Sequence, residues 1–130
     1  MPERQYVNPD ALGAPRGYTQ VVKVGNTVYI AGQVSAARDG SVVGKGDPEA
    51  QVRQVWKNLE AAVASAGGTL HNIVKTTTYV INIDYAAAVR KVRDELFRAS
   101  NPPTSTLLVV SALANPDFMV EIEAIAVVDA

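Results

Sequence analysis

Apolar and polar positions alternate most clearly near the end of the chain. The run Met119–Val128 reads Met-Val-Glu-Ile-Glu-Ala-Ile-Ala-Val-Val. Successive strand side chains point to opposite sides, so Val120, Ile122, Ala124, Ala126 and Val128 share one face. Met119, Glu121, Glu123, Ile125 and Val127 share the other. The preceding run, Ser105–Leu113, is apolar on both faces, with Leu107 and Val109 on one and Leu108 and Val110 on the other. That is the pattern of a strand covered on both sides. A carboxylate kept dry costs several kcal/mol even after relaxation, so Glu121 and Glu123 must reach water, a donor or a cation. Two buried faces with carboxylates on one of them predict a cleft.

Upstream, the pattern divides into short β-rich runs and two helical stripes. The first stretch, to Arg16, holds Pro2, Pro9 and Pro15 with little periodicity and reads as an arm laid over the domain. Thr19–Val24 and Thr27–Val34 flank Gly25-Asn26, a hairpin signal. A glycine-rich turn region from Ala36 to Gly46 has room for one short strand around Ser41–Val43. Asp47 as N-cap and Pro48 at the first helical position open a helix. Its apolar stripe is Val52, Val55, Trp56, Leu59, Val63 and Ala66, and Gly67-Gly68 end it. Ile73–Ile83 is β-rich. Asp84 is the expected cap of a second helix with core residues Tyr85, Val89, Val92 and Leu96 or Phe97, stopped by Pro102-Pro103. Asn115-Pro116-Asp117 joins the last two strands.

The order β-β-(β)-α-β-α-β-β predicts an α+β fold with a mixed sheet in a single domain, 1–130. The helix between Ile73–Ile83 and Ser105–Leu113 predicts a crossover between parallel strands. Two helices can cover only one sheet face. A second copy of the chain is the simplest cover for the other, which would place the carboxylate cleft between subunits.

Composition narrows the function. Of 130 residues, 48% are hydrophobic and only 19% charged, so some apolar surface is expected to meet a partner. A net charge of −1 argues against a broad nucleic-acid-binding face. The absence of cysteine removes a thiolate nucleophile, cysteine metal sites and a disulfide framework, and it fits a cytoplasmic enzyme. The N-terminus lacks a signal-peptide pattern, and no run approaches the ~18 apolar residues of a membrane span. With His71 as the only histidine, neither a catalytic triad nor a metal cluster has support. Gly40, Gly44 and Gly46 read as turns rather than as a phosphate cradle.

Several ordered motifs resemble the Rid/YjgF family of reactive-intermediate (enamine/imine) deaminases, also labelled the endoribonuclease L-PSP family. Gly17-Tyr18-Thr19-Gln20 is similar to its Gly-Pro-Tyr-Ser-Gln segment, and Ala31-Gly32-Gln33 to its Ser-Gly-Gln strand end. Gln54, Asn58, Gly67 and Lys75-Thr76 fall in the same order. Pro103–Leu113 followed by Val120-Glu121-Ile122-Glu123-Ala124-Ile125-Ala126 is similar to its C-terminal signature. The resemblance implies a chorismate-mutase-like fold with two helices on one sheet face. It further implies a homotrimer around a central sheet barrel, and small-molecule clefts between subunits. Its chemistry needs no cofactor: water attacks the imine carbon of a 2-imino acid, releasing ammonia and a 2-keto acid.

Active members read Pro-Ala-Arg-Ser at the start of the penultimate strand, where the Arg clamps the substrate carboxylate. Here Pro103-Thr104-Ser105-Thr106 puts Ser105 in the Arg position. A guanidinium offers a bidentate contact, a hydroxyl only one donor. Arg90, on the second helix, is the candidate replacement cation, against the plainer reading of a solvated helix-face Arg.

Glu121 matches the cleft glutamate that holds the attacking water; otherwise it is a solvated or ion-paired strand carboxylate. Tyr18 either lines the cleft or packs between subunits. Gly32 and Gln33 give backbone access at a strand end. Ser105 and Thr106 bind a polar ligand group or simply begin a strand. Three functions follow: an imine/enamine deaminase with altered substrate range, a non-catalytic trimeric small-molecule binder, and an endoribonuclease. The last is disfavoured by the lone histidine and the acidic balance.

Overall fold

Gly25 and Asn26 reverse the chain between β2 (Val21–Val24) and β3 (Thr27–Val34) in two residues. Gly25 adopts φ +60°, while no non-glycine residue has positive φ among the described residues, which matches the tight turn with glycine first. The structure is a computed structural model and describes residues 3–129. It contains one six-stranded sheet with the order β1 (Arg4–Val7), β2, β3, β6 (Val120–Val127), β4 (Ile73–Val80), β5 (Thr104–Val109).

The N-terminal stretch is not merely an arm. Arg4–Val7 forms β1, an edge strand antiparallel to β2. Four residues are too few to show a period, but Tyr6 and Val7 suit a pleated surface. The short strand expected around Ser41–Val43 reduces to a single bridge between Ala36 and Val42.

Helix α1 (Pro48–Ser65) begins where the caps place it: Asp47 Oδ1 accepts a hydrogen bond from the Ala50 amide at 3.1 Å. Its buried stripe includes Val52, Val55, Trp56, Leu59 and Val63, and Gly67 follows its end at φ +89°. Two buried amides on the same helix tie it to the sheet. Asn58 Nδ2 donates to the carbonyls of Val34 and Ala36 at 3.0 and 3.1 Å. Gln51 Nε2 donates to the Asp117 carbonyl at 2.9 Å, and its Oε1 accepts from the Met119 amide at 2.8 Å. The end of β3 and the entry to the last strand are thereby fixed to one helix.

Strand β4 (Ile73–Val80) stops earlier than the expected Ile83. Asn82, rather than Asp84, supplies the capping oxygen: its Oδ1 accepts from the Asp84 amide at 2.9 Å and starts a single 3-10 turn. Helix α2 (Ala86–Leu96) follows without a side-chain cap and buries Val89 and Val92, with Phe97 buried just past its end. Arg53 joins Glu49 and Glu95 at 3.1 and 2.9 Å, and Lys91 joins Glu49 at 2.8 Å, bridging the two helices at their surface.

Strand β5 (Thr104–Val109) runs parallel to β4, as the crossover requires. Strand β6 (Val120–Val127) lies between β3 and β4, antiparallel to both. Val120, Ile122, Ala124 and Ala126 are buried beneath the helices. The opposite face is uncovered in the single chain, and Tyr6, Tyr29, Leu108 and Val127 are exposed there. Among the described residues no helix is long and apolar enough to cross a membrane.

Candidate functional site

On β6, one residue, Glu123, separates the partners of Ile30 and Gln33; on β3, Ala31 and Gly32 both fill that interval. This two-for-one bulge bends the strand beside the carboxylates. The bulge is braced from within the core. Gln33 Nε2 donates to Gln20 Oε1 at 2.8 Å and to the Ala31 carbonyl at 3.0 Å, and both glutamines are buried. Gln33 therefore acts through the backbone it holds, and its side chain faces away from the open surface.

Glycine at position 32 leaves room for Glu121. A Cβ there would lie 2.8 Å from Glu121 Cδ, closer than side-chain contacts allow. Glu121 is half-buried on the uncovered face, opposite Tyr79 on β4. Burial, and then the charge of Glu123, push its carboxyl above the ordinary glutamate range. Glu123 is differently placed: it is exposed, and its Oε1 accepts from the Tyr79 hydroxyl at 3.0 Å. That hydrogen bond also holds the Tyr79 phenol protonated to higher pH than usual. Glu121 is thereby the more ready to accept a proton than an ordinary glutamate.

An open depression of about 330 Å³ beside Glu123 is lined by Thr19, Tyr29, Ala31, Lys75 and Thr77 among others. Thr106 pairs with Thr77, which pairs in turn with Glu123, so all three share the uncovered face. Tyr18 is exposed in the loop before β2. Among the described residues no group of His, Cys, Asp or Glu gathers in a way that could hold a metal ion.

Ser105 stands apart from these residues. It pairs with Thr76, which is buried, and Thr76 pairs with Ala124, also buried. Paired residues point to the same side of a sheet. Ser105 therefore faces the helices while Glu121 faces the opposite way. Within one chain these two side chains point apart. The helix cation next to Ser105 is Arg93, whose Nη1 donates to Ser105 Oγ at 3.3 Å. Arg90 is exposed one turn earlier. On the sequence alone, Arg90 is singled out on this helix and Arg93 is not. The signal was present: Arg93 lies three residues after Arg90, on nearly the same side of the helix and nearer its C-terminal end, from which the chain continues to β5.

A mixed six-stranded sheet carrying two helices on one face, with a half-buried glutamate on the other, defines a small α+β protein. Residues 8–128 match the family model described as Endoribonuclease L-PSP. A 2-iminobutanoate/2-iminopropanoate deaminase from Dermatophagoides farinae is 30% identical over 128 residues, covering 98% of each chain. The crystal structure of YyfA from Yersinia pestis, a protein of the conserved Rid family, superposes with a TM-score of 0.89 at 34% identity. That match covers 97% of this chain and 100% of that one. E. coli TdcF with bound serine gives a TM-score of 0.86 at 29% identity over 95% of this chain and 98% of that one. The chain belongs to the Rid/YjgF (endoribonuclease L-PSP) family.

Proposed function

We propose that this protein hydrolyses small 2-imino acids, or their enamine tautomers, to 2-keto acids and ammonia at clefts between the subunits of a homotrimer. The carrying observation is Glu121: a half-buried carboxylate of raised proton affinity, given space by Gly32 at a strand bulge. In the reaction, Glu121 takes a proton from water as the water oxygen bonds to the imine carbon. The proton then passes to the amino group of the tetrahedral adduct. The adduct's hydroxyl proton follows to the nitrogen by way of Glu121, the C–N bond breaks, ammonia leaves, and the carbon becomes the keto carbonyl. A carboxyl of raised proton affinity is a better proton acceptor for these transfers than an ordinary glutamate. The deaminase name of the relative from Dermatophagoides farinae supports this class of substrate.

Trimerisation is supported by the exposed apolar side chains of the uncovered face and by the opposed directions of Ser105 and Glu121. A cleft shared by neighbours can use both sides of the sheet; a cleft within one chain cannot. The second reading, a trimeric binder without turnover, rests on Ser105 in the Arg position. An endoribonuclease is less well supported, because the lone His71 is hydrogen-bonded to Ser100 at 3.0 Å and faces no second acid–base group of its kind.

The test generates 2-iminobutanoate in situ with an amino-acid oxidase and follows ammonia release against semicarbazide trapping of the imine. The protein should divert imine from the trap, and Glu121→Gln should lose about 10²–10⁴-fold in rate, the usual contribution of a general base. Diversion that survives Glu121→Gln unchanged would remove Glu121 from the mechanism. No diversion at all would leave the binder.

A further inference from the structure

Among the described residues Arg93 is a largely covered cation whose one carboxylate contact is long. Its side chain is only 24% exposed, and its nearest carboxylate, Asp94 Oδ1, lies 3.8 Å from Nε and is itself 77% exposed. A contact that long and wet contributes little. Its neighbours differ: Arg53 is shared between Glu49 and Glu95, and Lys91 is held by Glu49. The one short polar contact of the Arg93 side chain is Nη1 to Ser105 Oγ, at the first turnings of β5. Having accepted that hydrogen bond, the Ser105 hydroxyl still has its own proton to donate. The guanidinium likewise keeps donors in its planar fork.

We propose that Arg93 and Ser105 together form a carboxylate-binding subsite, so that the helix supplies the charge that the start of β5 lacks. The subsite rests on the cleft proposed above, where it would hold the carboxylate end of a 2-keto or 2-imino acid. The carbonyl or imine carbon would then lie towards Glu121 of a neighbouring subunit. A guanidinium with an adjacent hydroxyl gives a carboxylate two charge-assisted or neutral donors from one direction, which neither residue gives alone. Arg90 plays no part in it, being exposed one turn away.

The experiment is an NMR titration of the assembled protein with 2-oxobutanoate and with its uncharged isostere 2-oxobutanamide. Arg93→Gln should weaken 2-oxobutanoate by about 30-fold or more, as loss of a desolvated charge contact does. It should leave 2-oxobutanamide within about twofold, and Arg93→Lys should recover part of the loss. Arg90→Gln should leave both ligands as they are. The proposal is overturned if Arg93→Gln weakens both ligands equally, which is a packing effect, or neither. It is also overturned if 2-oxobutanoate does not bind the unsubstituted protein. The imine assay runs in parallel. Arg93-dependent binding without turnover retains the subsite and removes the catalytic reading. Glu121-dependent turnover with binding indifferent to Arg93 does the reverse.

Discussion

The carboxylate of Glu121 occupies the space that a side chain at position 32 would need, with Glu121 Cδ 2.8 Å from where a Cβ would stand on Gly32. The obstruction is a flexible side chain, so an alanine there displaces the carboxylate and leaves the strand intact. Gly32→Ala should therefore cost up to about 100-fold in kcat/KM, the scale of an ångström-sized misplacement. The thermal midpoint should move little. Full activity in Gly32→Ala would show that the position of Glu121 is not critical.

The raised proton affinity of Glu121 has a defined consequence for stability. A carboxyl whose folded pKa lies above its unfolded value destabilises the fold in full above the folded pKa. That penalty disappears as pH falls through the raised pKa towards the ordinary glutamate value. Glu121→Gln should accordingly be more stable than the parent at neutral pH, and the two denaturation curves should converge in acid. The rate should climb with pH through the same raised pKa and then level. A stability difference that widens in acid would mean that Glu121 is stabilised as an anion.

Leu59 is fully buried between α1 and the sheet. Leu59→Ala should cost about 2–5 kcal/mol by equilibrium denaturation, the range for a buried leucine. A change within about 0.5 kcal/mol would place that face in solvent.

Local signals were legible in the sequence wherever one or two residues dictate the backbone. Gly25-Asn26 specifies the hairpin, Asp47-Pro48 the start of α1, and the alternation from Val120 to Val127 the buried and open faces of β6. Signals shared with a neighbour were not. Asn82 preceded Asp84 as the cap because a 3-10 turn intervenes before α2, and helical periodicity does not register a single turn. Strand β1 is too short to show its period. The opposed directions of Ser105 and Glu121 were out of reach for a different reason. Strands β5 and β6 do not pair with each other, and their relative facing is transmitted through β4, whose register no one strand's pattern contains. The nearness of Arg93 to Ser105 depends on the same docking of α2.

The uncovered sheet face, with Tyr6, Tyr29, Leu108 and Val127 exposed in the protomer, should be buried by neighbouring copies. Light scattering at micromolar concentration should give about three times the chain mass for a cyclic trimer. Leu108→Lys should shift the population towards smaller species. A monomer in the unsubstituted protein would remove the shared cleft.

The most direct test of a site divided between subunits is complementation of two inactive variants. Glu121→Ala removes the base, and Ser105→Glu sets a carboxylate beside Arg93 to repel the substrate. The two are co-expressed with different tags and purified as mixed trimers, and ammonia release is measured from in-situ imine. If each cleft takes Glu121 from one subunit and Ser105 from the next, random 1:1 mixing restores about a quarter of the sites. The account predicts that partial recovery from two parents that are each inactive. Mixed trimers of verified composition that remain as inactive as their parents would contradict it.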